Sequence, residues 1–353
     1  MISRDKKMLP VFRQTWQSLS WIGIVTAFCF ILYGICLPQT ATAAFYNIKD
    51  EIEIGRNVSK EVEKIYKLSS DKGVQERVER LGRQLATVSE RPELPYTFKV
   101  LEVNEVNAFA LPGGPVYVFK GLADYMTDDE LAGVIGHEIG HIVKRHSIKQ
   151  MEKSMSMGLL MLLVLRDKGM GLQTVVQQAI MASYSREDER EADYQGFLLT
   201  TKAALNPYGM QMGLTKLATV HDAPDHGLFN SHPEPEARVA LLKGYIVKDN
   251  IRPRVIIDGG TTKVSDGKWS FGTDENSAYS IAGALYRVSC TGQVIPDWFI
   301  LDNDGDEVRI YYDAIKVWTV TSQEAAVANV EKEELASRYV TSFRQWAEQK
   351  QKE

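Results

Sequence analysis

The chain has 353 residues, of which 44% are hydrophobic, 9% aromatic and 25% charged, with a formal net charge of −5 and a pI near 5.8. That composition excludes collagen, coiled coil, wholesale disorder and a polytopic membrane protein, and an acidic chain offers little to a phosphate backbone, so nucleic acid is not an expected partner. Three cysteines, Cys29, Cys36 and Cys290, are too few for a disulfide framework or a thiolate zinc site.

At the N-terminus Arg4, Lys6, Lys7 and Arg13 precede an apolar run from Leu19 to Leu37, followed by Pro38 and the small residues Ala41-Thr42-Ala43-Ala44. This is the order of a secretory signal peptide, and the run is also long enough for an N-terminal membrane anchor; residues 1–43 are one or the other. Either way the rest of the chain is expected outside the cytoplasm, periplasmic or extracytoplasmic, with membrane contact through residues 19–37. Cleavage after Ala43 would leave 37 basic against 45 acidic residues, about −8 net.

Apolar residues at helical spacing (Ile52, Val58, Val62, Ile65; then Val78, Leu81, Leu85) predict two amphipathic helices between residues 49 and 89. Pro92 and Pro95 end that pattern, and Tyr96 to Val100 alternates as a strand. Asn107 to Phe119 reads as a strand, a Pro-Gly-Gly-Pro turn and a second strand. Thr127-Asp-Asp-Glu130 is a capping box that opens a helix through Ile142. The apolar stretch Met155 to Leu165 is too short to span a bilayer and predicts a buried helix or cover. A helix follows over Ser185 to Thr201, and then loops at Asn206-Pro207 and around Ser231-His232-Pro233. Beyond Asn250 the texture turns to strands at Val255-Ile-Ile, Trp269-Ser-Phe, Tyr286-Arg-Val, Trp298-Phe-Ile-Leu, Val308 to Tyr312 and Ile315 to Val320. A last helix, with Ser322 as cap, carries Val327 to Trp346. Asp302 to Asp306 reads as a hairpin turn rather than a calcium loop, because its glycine is fourth and not sixth. The fold class is α+β: a mainly helical, zincin-like catalytic domain with a small edge sheet over 45–249, and a β-rich C-terminal module ending in a helix over 251–353.

The chemistry concentrates in His137-Glu138-Ile139-Gly140-His141. At about 100° per residue the two histidines share a helix face one turn apart and can converge on one ion. Neutral imidazole suits zinc, and Glu138 beside the first ligand is placed to take a proton from a zinc-bound water. Burying three such groups on an apolar helix without a compensating partner would be costly. Gly133, Gly136 and Gly140 on that helix predict close packing or substrate approach. A third histidine six residues on is absent, since Ser147 stands there. His146 lies about 140° round an ideal helix from His141, which predicts a surface histidine. The remaining ligand must come from elsewhere. On the acidic helix Glu189 and Asp193 share a face one turn apart, so that one can bind metal while the other orients a histidine; Glu187 and Glu191 face away and predict a solvated edge.

Taken in order, Asp50-Glu-Ile-Glu-Ile-Gly55, Asn107-Ala-Phe-Ala-Leu-Pro-Gly-Gly114, Gly121-Leu, His137-Glu-x-x-Gly-His141, Ser185-Arg-x-x-Glu-x-Glu-Ala-Asp193-x-x-Gly196 and Asn206-Pro-Tyr-Gly-Met210 resemble one zinc metallopeptidase family. It is the family of the CAAX prenyl proteases and the HtpX-, Oma- and BepA-type proteases, and the layout is most similar to its exported periplasmic members. The resemblance implies one zinc ion per chain on His137, His141 and Glu189, with Glu138 as general base and Asp193 as the partner behind a ligand. It also implies a substrate-binding edge at Asn107, Ala108, Phe109 and Ala110, where a peptide adds by main-chain pairing. His232 in its His-Pro loop corresponds to a removable fourth ligand, and Arg238 to a group that binds substrate or stabilises the oxyanion. A single apolar N-terminal segment departs from the polytopic members, which argues against prenyl-cysteine processing. The part after Asn250 lacks the helical repeats of BepA-type proteins.

The expected function is therefore an exported zinc metalloendopeptidase acting on polypeptides, misfolded or envelope proteins among them, with other envelope proteins as partners. The rival from another class is a chaperone-like assembly factor that binds exposed strands, with proteolysis secondary or suppressed. An intact Glu138 favours the enzyme. A purely structural zinc is disfavoured by a carboxylate ligand set.

Overall fold

A computed structural model describes residues 47–154, 176–177, 180, 184–218, 232, 235–304 and 307–353. The signal or anchor segment, the Met155 to Leu165 stretch, and Ser231 and Pro233 of the His-Pro loop lie outside the described residues. Among the described residues no helix is long and apolar enough to cross a membrane. Ile48–Glu353 forms one compact unit, and the boundary read from the sequence falls between the helix Pro235–Lys248 and the strand Arg254–Asp258.

Two amphipathic helices come first, α1 (Ile48–Ile65) and α2 (Lys72–Thr87), the latter capped by Asp71 accepting from the Val74 amide. A small sheet follows from β1 (Thr97–Leu101), β2 (Ala108–Ala110) and β3 (Pro115–Phe119) in the order β1-β3-β2, with β1 parallel and β2 antiparallel to β3. The Pro-Gly-Gly-Pro turn uses positive φ at Gly113 (75°) and Gly114 (129°), which a side chain would strain. After the short α3 (Lys120–Tyr125) comes α4 (Asp128–Val143), where Thr127 and Glu130 close the expected capping box.

From Glu130 to Val143 every residue of α4 is buried, so its sequence is apolar nearly all round. It is walled by α2, by α6 (Arg186–Lys202) and by α7 (Gly209–Ala218). The three glycines explain how α6 and α7 come so close. A Cβ on Gly133 would lie 2.2 Å from the Met210 amide nitrogen, one on Gly140 would lie 2.7 Å from the Ala192 carbonyl, and Gly136 meets Gly196. Close packing is the outcome of the two alternatives read from the sequence. At its far end α4 stops at Val143; Arg145 has φ 60° and its guanidinium lies 3.2 Å from the buried Glu51, before α5 (His146–Ser154) begins. Arg91 bonds both Glu51 and the Ile142 carbonyl, so α1 anchors this end of α4.

After α8 (Pro235–Lys248) two antiparallel meanders follow: β4 (Arg254–Asp258), β5 (Thr261–Asp266) and β6 (Trp269–Gly272), then β7 (Phe299–Asn303), β8 (Val308–Tyr312) and β9 (Ile315–Val320). Between them lies α9 (Glu275–Ser289), which corrects the strand expected at Tyr286-Arg-Val. Ala278, Ile281, Ala282, Leu285 and Val288 form a buried helical stripe, and Asp274 caps it; the three-residue alternation Tyr286-Arg-Val288 read alone hid that longer period. The strand β5 was not expected, since its Thr-Thr-Lys-Val-Ser-Asp sequence has few apolar residues. The single terminal helix is two, α10 (Ser322–Ala328) and α11 (Lys332–Lys350), broken at Asn329 with φ 53°, and the first is capped by Thr321 rather than Ser322. Tyr208 donates to the Pro253 carbonyl and Tyr286 to that of Thr201, so the later part packs directly on the α6–α7 region.

Candidate metal centre

The helix α4 presents His137 and His141 one turn apart, with ring centroids 4.6 Å apart and planes near perpendicular. Their Nε2 atoms lie 3.0 Å from each other. The glycine contacts bring α6 alongside and set its two acidic residues on opposite sides of the imidazoles. Asp193 Oδ1 is 2.9 Å from His137 Nδ1, at the back of the ring. Glu189 is at the front, 3.5 Å from His137 Nε2 and 3.6 Å from His141 Nε2. His232 arrives from the far loop, its Nδ1 2.8 Å from Glu189 Oε1 and 3.2 Å from His137 Nε2. His137, His141, Glu189 and His232 thus offer four donor atoms within 4.8 Å of one another, all buried.

The hydrogen bonds decide which nitrogens are bare. A carboxylate only accepts, so Asp193 requires the proton on His137 Nδ1, which leaves Nε2 a lone pair. That lone pair faces the Nε2 of His141, 3.0 Å away, so the two nitrogens are joined either by a hydrogen on His141 Nε2 or by a metal ion between them. Burial pushes His141 well below the usual imidazole range, which keeps that ring neutral with a single hydrogen. Glu138 Oε1 is buried and makes no hydrogen bond among the described residues, and Glu189 Oε2 is met at ion-pair distance by Arg238 Nη1, 3.1 Å away. Imidazole nitrogens and carboxylate oxygens converging in a buried cluster fit a divalent metal of the kind nitrogen and oxygen ligands hold.

Charge in the pocket is sharply divided. Burial raises Glu138 above the carboxylate range against the pull of His232 and His137. For Glu189 burial also pushes upward, but His232, His137 and Arg238 outweigh it and hold it low. Asp193 is held lower still, because Arg238 and His137 overcome its burial. His232 moves up despite burial, owing to Glu189 and Glu138. Arg238, 3% exposed, bonds Asp193 through Nε (2.8 Å) and Nη2 (2.7 Å), and its Nη1 lies 3.1 Å from Glu189 Oε2. Its guanidinium is raised by the two carboxylates against the cost of burial.

Two expectations are corrected here. His146 is not a surface histidine: it is 1% exposed, with Nδ1 2.9 Å from His141 Nδ1 and Nε2 3.1 Å from Glu191 Oε2. The helical-wheel angle does not apply, because α4 has ended and the left-handed Arg145 redirects the chain. Glu191 is correspondingly not a merely solvated edge, whereas Glu187 stays 76% exposed beside Arg190. Sequence reasoning also missed Tyr184, whose ring stacks on His141 at 4.0 Å while its hydroxyl lies 3.0 Å from Ser147 Oγ. No local signal marks either residue; both depend on where α5 starts.

The strand β2 is a terminal strand of its sheet. Ala108, Phe109 and Ala110 are buried, Phe109 packs on Tyr117 and Phe119, and Ser147 Oγ donates to the Ala110 carbonyl at 3.4 Å. Asn107 is buried too, its side-chain oxygen accepting from the Ala108 amide and its carbonyl from the Phe119 amide.

Residues 72–246 match the sequence profile described as Peptidase family M48. The chain is 32% identical to metalloprotease YcaL of Escherichia coli (strain K12) over 159 residues, which is 43% of this chain and 63% of that protein. It is 28% identical to metalloprotease LoiP of the same organism over 165 residues, 45% of this chain and 66% of that one. To the beta-barrel assembly-enhancing protease of that organism it is 27% identical over 239 residues, 62% and 48% respectively. The chain thus spans less than two thirds of the length of each of these relatives.

Proposed function

Because residues 72–246 belong to peptidase family M48, we propose that this chain is an exported zinc metalloendopeptidase that hydrolyses peptide bonds of protein substrates, misfolded or envelope proteins among them. The observation that carries the reading is the meeting of bare His137 and His141 nitrogens with Glu189 around a pocket that Glu138 also enters. Held by His137, His141 and Glu189, zinc would polarise the scissile carbonyl and the attacking water.

The chain's own residues supply the rest. Glu138, raised by burial, has the basicity to take the water's proton and pass it to the leaving amine. Asp193 keeps the proton of His137 on Nδ1 and so keeps Nε2 available. Arg238 we assign to anchoring Asp193 and Glu189 rather than to the oxyanion, because its donors are already turned to those carboxylates. The stretch Asn107 to Ala110 would take an extended substrate along the main-chain groups it does not already spend on β3 and Ser147, since β2 ends its sheet. His232 also offers a nitrogen to this set, where it would compete with water for the remaining position on the ion. Export and membrane contact are supported by the basic start and the apolar run from residue 19 to 37.

The test compares wild type with Glu138→Gln on unfolded casein, with bound zinc measured in both. Equal zinc, with cleavage reduced about 10²- to 10⁴-fold in the variant, is expected. Unchanged cleavage would overturn the mechanism, and a zinc-free wild type purified without chelator would overturn the site. His232→Ala should raise basal cleavage if that ring blocks the metal; lower cleavage would give it a role in the transition state.

A further inference from the structure

Resting on the zinc reading above, we infer that His146 is a positioning residue for the metal, relaying the orienting hold of Glu191 and Asp188 on to His141. The two metal-facing histidines of α4 are supported unequally. Behind His137 stands a carboxylate in direct contact, Asp193 at 2.9 Å. Behind His141 stands another imidazole: His146 Nδ1 is 2.9 Å from His141 Nδ1, and on the far side His146 Nε2 is 3.1 Å from Glu191 Oε2 and 3.4 Å from Asp188 Oδ1.

The proton positions along this chain follow from one end. Glu191 and Asp188 only accept, so the hydrogen of a neutral His146 must sit on Nε2. Its Nδ1 is then an acceptor, and His141 must carry its hydrogen on Nδ1. This leaves His141 Nε2 bare and aimed at Glu189 and His137 Nε2. The acidic edge of α6 thereby selects the metal-binding tautomer of a histidine on another helix, through one intervening ring. Tyr184, stacked on His141 at 4.0 Å, restrains the ring from its face while His146 holds its edge. The geometry also explains why a histidine is buried against His141, Glu191 and Asp188: an apolar ring would fill the same volume but hold no proton in place.

The experiment measures zinc affinity of the full chain by competition with a chromophoric chelator, with zinc release rates and circular dichroism as companions. His146→Phe keeps the ring volume and removes both nitrogens, and should weaken zinc binding roughly 10- to 100-fold, the usual effect of losing a group behind a ligand. His146→Asn places an amide oxygen where Nδ1 was and should recover most of that loss, a rescue that packing alone does not produce. Glu191→Ala, at a side chain 43% exposed, leaves the core untouched and should weaken zinc in the same direction by a smaller factor. Wild-type affinity and release rate in both His146→Phe and Glu191→Ala would overturn the relay, as would equal deficits in the Phe and Asn variants. Should His146→Phe fail to fold, Glu191→Ala alone decides. A wild type that binds no zinc would instead overturn the zinc reading and the relay together, so the two failures are distinguishable.

Discussion

Replacing Asp193 by Asn tests whether the site is held from behind by charge or by shape, since the two side chains are nearly isosteric. Asp193 serves three donors with two oxygens: Arg238 Nε on Oδ2, and Arg238 Nη2 with His137 Nδ1 on Oδ1. Asn has one oxygen and one NH2 group. If the NH2 takes the Oδ2 place, one bond from Arg238 is replaced by two opposed donors. If it takes the Oδ1 place, two bonds fail, and His137 is pushed to carry its proton on Nε2, where it cannot bind metal. The first arrangement loses less and should prevail. It costs one charge-assisted bond, about 1.5–3 kcal/mol, and leaves a buried guanidinium with only Glu189 to offset it, a class of defect costing about 3–5 kcal/mol in full. Because Glu189 remains, we expect a loss of about 3 kcal/mol. In excess chelator, where zinc makes no contribution, the melting temperature should fall by roughly 5 °C. Zinc affinity should fall at least about 10-fold. A variant that melts within about 1 °C of wild type and holds zinc equally would refute the claim that Asp193 orients by charge.

Two glycines in helices predict opposite signs for the same substitution. Gly133→Ala gains about 1 kcal/mol of helix propensity but drives a methyl group into the backbone of α7, and should be destabilising by about 1–3 kcal/mol in urea titrations. Gly244→Ala on α8 meets nothing within 4 Å and should stabilise by about 1 kcal/mol; loss at both positions would show that the α4–α7 approach is not what selects glycine. Asp128 at the start of α4 is pushed up by burial but held low overall by Arg77 and Arg80. Its folded pKa is depressed, so the stability it adds is present above about pH 4, its ordinary range, and is lost as the pH falls through the folded value. Being half exposed, it contributes at most about 1 kcal/mol, and Asp128→Asn should remove that increment at pH 7 while changing stability little near pH 2. An equal difference from wild type at both pH values would contradict the assignment.

Much of the site is written in short-range pattern. The capping box at Thr127, the i, i+4 placement of His137 and His141, and the Ser185 cap of the acidic helix all depend on residues within one or two turns, where helix geometry is nearly invariant. The same locality carried the β2–β3 pair with its positive-φ glycines. The reading went wrong where a local rule was carried past the end of its element. His146 was placed by a helix that had already stopped, and Tyr286 by a strand pattern three residues long inside a fifteen-residue helix.

The sequence by itself determined the ligand chemistry, since with a lone late cysteine only histidine and carboxylate could converge, and it determined the helix that spaces the two imidazoles. The tertiary structure alone decided that Glu189 faces the Nε2 atoms and Asp193 the back of His137. It alone brought His232 to the pocket and Arg238 behind Asp193, and buried His146 between His141 and Glu191. Those arrangements come from helices brought within glycine distance of each other and from a chain turned at Arg145 toward Glu51. Both are contacts between residues distant in sequence, which no local period encodes.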